Sequence, residues 1–134
     1  MALLVPDQGE VELLSRMLNK NSPADVVLKL YTNNRTPAEG DDTSSYTEST
    51  GTGYGDISLT GASWSVATAT GTTTAEYAQQ TFTYTGAEAN IYGYYVTDLT
   101  AETIVLWAEI FSDGPYSIPA GGGSVKITPK IELD

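Results

Sequence analysis

The sequence predicts an all-β fold, a single antiparallel β-sandwich preceded by an N-terminal arm that contains one short α-helix. Three observations carry that expectation. From Asp25 onward apolar and polar residues alternate with a period of two, in runs separated by turn-forming residues at the spacing of sandwich strands. Only the segment before Pro23 repeats its apolar residues with a period near 3.6. A chain of 134 residues with 40% hydrophobic content suits one core and no second domain. The expected division is an arm over residues 1–24 and a sandwich over 25–134.

In the arm, "PDQGEVELLSRMLNKNSP" places Val11, Leu14 and Leu18 at i, i+3 and i+7, with Leu13 and Met17 beside them. Glu10, Glu12, Arg16 and Lys20 take the other side. Pro6 and Asp7 suit a helix start, and Asn19, Asn21 and Ser22 before Pro23 suit its end. So short a helix is marginal alone, and its apolar stripe must dock on something. Two destinations are open: this protein's own sandwich, or a neighbouring chain.

The strands follow in order. "DVVLKLYT" sets Val26, Leu28 and Leu30 on one face and Val27, Lys29 and Tyr31 on the other. A long hydroxyl-rich loop precedes "YGDISLT", which presents Ile57 and Leu59. "GASWSVATAT" is expected to send Trp64 and Val66 inward. After a small "GTTT" loop, "AEYAQQTFTYT" sends Phe82 and Tyr84 one way and threonines the other. "NIYGYYVTD" and "TIVLWAEIF" are apolar on both faces, the pattern of strands covered on both sides, with one cover the domain core and the other a possible subunit contact. "SDGPYSIPAGGG" turns the chain into "SVKITPKIELD", where Val125, Ile127, Pro129, Ile131 and Leu133 alternate with polar residues. Pro129 lacks an N–H, so this strand belongs at a sheet edge or changes partners there. Strand order is left open, as is the choice between sandwich and barrel closure.

Charge and composition narrow the chemistry. The net charge is −11, and between Thr36 and Val125 there is no Lys or Arg. An acidic body of this kind repels phosphate backbones, so no nucleic-acid partner is expected. The absence of Cys and His removes thiol nucleophiles, imidazole metal ligands and the triads that need them. No apolar run is long enough to span a membrane, and "MALLVP" lacks the basic region and the apolar length of a secretory signal, so assembly in a cytoplasm is expected.

The remaining candidates have plain alternatives. "EGDDTSSYTESTGTGYGD" begins like a calcium loop at Asp41, but its sixth position is Tyr46 and its twelfth Thr52, where an EF-hand needs Gly and Glu. Calcium on Glu39, Asp41 and Asp42 stands against a flexible, solvated acidic loop. Glu48, Asp56, Glu76 and Glu109 could supply a glycosidase pair; Glu109 could instead sit at a strand's wet end or pair with Lys126 or Lys130. Tyr92, Tyr94, Tyr95, Trp107 and Tyr116 could stack on sugars, or fill a core or interface. The glycine runs are turns, and no cofactor or metal is implied.

The stretches "VVLKLYTNNRTPAEGDDTSSYTE", "GYGDISLTGASW", "IYGYYVTD" and "VLWAEIFSDGPYSIPAGGGSVKITPKIEL" together resemble small virion structural proteins of tailed bacteriophages. The resemblance covers residues 25 to 134, and the N-terminal segment looks like the shell-gripping arm of such proteins. It implies a jelly-roll-like sandwich and a non-enzymatic cement protein, made in the host cytoplasm. Such a protein would decorate the capsid exterior as a homotrimer and stabilise contacts between major capsid subunits. Contact with the major capsid protein is then expected at Leu3, Leu4, Val11, Leu14 and Leu18, and subunit contact at Tyr94 and Trp107. A tail or fibre module that contacts host glycans is the alternative.

Overall fold

The computed structural model describes residues 3–18, 20 and 24–133. Among these residues are one α-helix, α1 (Asp7–Met17), two single 3-10 turns (Thr43–Ser45 and Gly61–Ser63), and eleven strands: β1 (Val26–Tyr31), β2 (Ile57–Leu59), β3 (Ser65–Ala69), β4 (Thr72–Glu76), β5 (Gln80–Tyr84), β6 (Glu88–Ile91), β7 (Gly93–Asp98), β8 (Val105–Ile110), β9 (Tyr116–Ile118), β10 (Gly123–Ile127) and β11 (Lys130–Leu133). Every strand pairing is antiparallel. The chain is an all-β sandwich with an N-terminal helix.

One layer is the sheet β2-β1-β7-β8, in which β1 lies between β2 and a strand far along the chain. Its inner face carries Leu28, Leu30, Leu59, Tyr94, Val96 and Trp107, which meet Phe82, Tyr84, Val125 and Ile127 from the β5-β10 pair. Ile91 and Ile118, from the β6-β9 pair, complete this core. At Thr128-Pro129 the chain leaves β5 and continues as β11 against β4, the expected change of partner at a residue without an N–H.

β1, β7 and most of β8 are buried on both faces, as their two-sided apolar sequences require. The second cover is supplied by this chain itself, which corrects the expectation of a subunit contact there. Tyr31, Tyr46, Tyr95, Val105 and Ala108 form a second buried cluster on the outer face, with Tyr46 stacked on Tyr95 at 5.0 Å between ring centroids. Tyr94 and Trp107 are only 4% and 2% exposed within the single chain, so their rings belong to its core.

Three local expectations also change. "GTTT" is not a loop: Thr70 and Gly71, both at positive φ, make a two-residue turn, and Thr72–Glu76 is strand β4. "SDGPYSIPAGGG" contains the short strand β9. Trp64 packs on the core, edge-on to Trp107 at 6.1 Å, but Val66 is exposed because the β3–β4 hairpin projects past the core. The residues expected to end α1, Asn19, Asn21, Ser22 and Pro23, lie outside the described residues, as does the side chain of Leu133.

Candidate docking surface

Helix α1 starts after Pro6, whose fixed φ suits entry to a helix, and places Asp7 and Glu10 in its first turn and Arg16 in its last, each with the sign that the helix dipole favours. Gly9, Glu12 and Arg16 face the body, while Glu10 stays exposed. Gly9 lies against β8 so closely that a Cβ there would stand 2.6 Å from the Leu106 carbonyl oxygen; only glycine permits that approach. The Asp7 N–H donates to the Glu39 carbonyl at 3.0 Å, and Gln8 Nε2 donates to the Asp41 carbonyl at 2.6 Å. At the other end Arg16 bridges to buried Asp98, donates to Glu12 at 2.9 Å and donates to the Ala24 carbonyl at 3.0 Å. Asp98 also accepts from the N–H groups of Thr100 and Ala101 and from the Thr100 hydroxyl, so the buried charge is fully partnered.

With Gly9, Glu12 and Arg16 committed to the body, the helix turns its apolar stripe outward. Val11, Met17 and Leu18 are 66%, 72% and 65% exposed, and Leu14 is exposed beside them. Between α1 and the β11-β4-β3 sheet lies an apolar groove of about 660 Å³, lined by Val5, Leu13, Leu14, Met17, Val66 and Ile131 among others. Exposed apolar residues gathered on one surface, rather than scattered, mark an interaction site. Of the five residues expected to contact a partner, Val11, Leu14 and Leu18 stand on this surface. Leu3 packs against the core, and Leu4 exchanges backbone hydrogen bonds with Ala108 at 3.0 and 2.9 Å, so these two tether the arm to β8.

The acidic segment 39–56 is largely exposed, as its composition suggests, but it is also hydrogen-bonded to the body. Glu48 and Ser49 extend the ladder of β1: Tyr31 bridges Glu48, the Ser49 N–H donates to the Leu30 carbonyl at 2.9 Å, and the Tyr54 hydroxyl accepts from the Leu30 N–H at 3.1 Å. Asp41 is buried, bridged by Arg35 and held by the Tyr46 hydroxyl at 2.8 Å and the Ala38 N–H at 3.0 Å. Asp42 caps a single helical turn through the Ser44 N–H at 2.8 Å. The carboxylates of Asp41 and Asp42 are thus aimed at protein donors, and no group of acidic side chains among the described residues is arranged to hold a metal ion.

Burial alone would raise the Asp41 pKa, but the hydrogen bonds from Arg35, Tyr46 and Ala38 outweigh it and hold the carboxyl below its ordinary value. A lowered folded-state pKa contributes stability that is complete above the unfolded value of about 3.9 and is lost as pH falls through the folded one. Urea midpoints are therefore expected to hold through neutral pH and to fall on acidification below that value. Asp41→Asn should cost about 2 kcal/mol at pH 7 and flatten the acid decline. An unchanged acid profile in that variant would remove Asp41 from the account.

The glycosidase candidates separate in space. Glu48 and Asp56 converge, but on Lys29, whose Nζ stands 3.2 Å and 3.5 Å from them and 3.2 Å from Glu102. Burial works against the Lys29 charge, yet the bond to Glu102 and the charge of Glu48 prevail and raise its pKa. An ammonium therefore fills the space where a sugar would have to sit. Glu76 closes β4, and Glu109 lies at the half-buried end of β8, where it accepts from the Tyr94 hydroxyl at 2.9 Å. The aromatic platform also dissolves: Tyr94, Tyr95 and Trp107 are buried, Tyr92, between β6 and β7, packs against the outer cluster, and Tyr116 on β9 packs against the main core.

Comparison with known proteins finds no matching family model, no matching curated protein and no matching solved structure. No helix among the described residues is long and apolar enough to cross a membrane.

Proposed function

We propose that this chain is a non-enzymatic virion protein that decorates a phage capsid and bridges neighbouring major capsid subunits on the shell exterior. The observation that carries the reading is the reversed helix: α1 grips its own body through Gly9, Glu12 and Arg16 and offers Val11, Leu14 and Leu18 to solvent. Presenting a greasy stripe to water costs free energy unless a partner removes it, so the geometry favours a docking role. The charge map adds to this support. The acidic middle keeps decorated particles apart, and the mixed charges of the helix suit a protein surface. Several copies acting on one lattice would gain by avidity what each short helix lacks.

The test is capsid binding. The variant carrying Val11→Asp, Leu14→Asp and Leu18→Asp should stay folded, since these side chains leave the core untouched. It should lose affinity for expanded capsids by about 100-fold or more, as removal of a buried apolar anchor set implies. Equal co-sedimentation of variant and parent would overturn the assignment. Copy number then places the protein: abundance comparable with the major capsid protein puts it on the shell, and a few copies per particle put it on the tail.

A further inference from the structure

Strand β3 is exposed along its whole length, with β4 on one side and, among the described residues, no strand on the other. Open edges pair readily with other chains, and natural proteins guard them with charge, proline or a bulge. β3 has none of these: it reads Ser-Val-Ala-Thr-Ala, in unbroken register with β4. The hairpin turn at Thr70 and Gly71, with φ of 54° and 90°, has the primed geometry in which the flanking pair, Ala69 and Thr72, is hydrogen-bonded. Alternation along an antiparallel ladder then commits the N–H and C=O groups of Ser65, Ala67 and Ala69 to β4. Those of Val66 and Thr68 point outward, unpaired.

We infer that a second copy of this chain occupies the edge, added antiparallel about a twofold axis through Ala67. In that register Val66 of one copy opposes Thr68 of the other, each pair exchanging both backbone hydrogen bonds, and Ala67 opposes itself. Two observations select a second copy over a foreign strand. The run from Ile57 to Ala75 contains no charged residue in a chain of net charge −11, so this hairpin is where two identical acidic bodies approach with least repulsion. The strand is also self-matched: the axis sets β-branched Val66 against β-branched Thr68 on the groove face, and small Ser65 against small Ala69 on the other. Val66 lines the groove beside α1, so pairing joins the apolar floors of two grooves into one face. The association is twofold, not the threefold that the phage resemblance implies, and it leaves Val11 and Leu18 free.

The chain contains no cysteine, so Ala67→Cys carries a single thiol. In the inferred register two such residues form a non-hydrogen-bonded pair with Cα atoms about 4.5 Å apart, within disulfide range. Ala69→Cys, on the same face but two residues from the axis, would separate its thiols by about 14 Å. Under mild copper-phenanthroline oxidation at tens of micromolar protein, Ala67→Cys should be recovered as a covalent dimer and Ala69→Cys as monomer. In sedimentation velocity the parent chain should run as a dimer. Thr68→Pro removes one outward N–H and leaves the hairpin ladder whole, and Val66→Lys places a charge on the edge; each should weaken the dimer at least about tenfold. A monomeric or trimeric parent, equal oxidation of the two cysteine variants, or a dimer indifferent to both edge substitutions would overturn the inference.

Discussion

Replacing Asp98 with alanine is expected to lower the unfolding free energy by about 3–5 kcal/mol, the cost of stripping one partner from a buried ion pair. Asp98 lies at the end of β7, almost wholly enclosed, and it joins the helix to the turn that follows the strand. Its loss leaves the Arg16 guanidinium without its buried counter-charge and removes the acceptor of the Thr100 and Ala101 N–H groups. Amide hydrogen exchange should show α1 losing protection before the strands do, because Arg16 is the anchor of its C-terminal end. Exchanging both partners for apolar residues, Asp98→Leu with Arg16→Met, should recover part of the loss, since an unpaired charge then no longer remains inside. A loss below about 1 kcal/mol in Asp98→Ala would mean that the Arg16–Asp98 pair is dispensable and that the remaining contacts of the arm, from Leu4, Asp7, Gln8 and Gly9, hold the helix.

Phe82→Ala should cost about 3–5 kcal/mol by removing a buried ring and leaving a cavity between the layers. Phe82 is 1% exposed, opposite Val125 on β10, and its ring stacks on Tyr54 at 5.6 Å. Tyr54 in turn holds the Leu30 N–H and Glu48, so the cavity should also loosen the acidic segment over the sheet. Chemical denaturation measures the first effect, and faster exchange of the Leu30 amide measures the second. Val66→Ala, on the exposed hairpin, should stay within about 0.5 kcal/mol of the parent; a comparable loss there would contradict the placement of the core.

The strongest strands were legible because burial on both faces leaves a compositional trace. β1, β7 and β8 read as apolar on either side, and all three are enclosed. β4 and β9 escaped notice for opposite reasons. Thr72–Glu76 has no apolar alternation and derives its place from pairing with both β3 and β11, while Tyr116–Ile118 is too short to show a period. Val66 illustrates a further limit: alternation says which residues share a face, and it is silent on whether anything covers that face. Composition was silent on one part of the acidic segment. Asp41 is buried because Arg35 and Tyr46 reach it from either side, and acid-rich sequence with hydroxyls looks the same whether or not such donors arrive.

The amino-acid sequence alone determined the antiparallel β class, the single amphipathic helix, the acidic middle of the chain and the exclusion of thiol and imidazole chemistry, because each follows from local period or from composition. Tertiary structure decided which way the helix faces, where Tyr94 and Trp107 go and which edge stays open. Those outcomes depend on contacts between residues far apart in the chain: a missing Cβ at Gly9 against β8, a charge on Arg16 matched by Asp98, and a hairpin carried past the core. A periodic stripe defines two faces with equal clarity, and only the surface it meets selects between them.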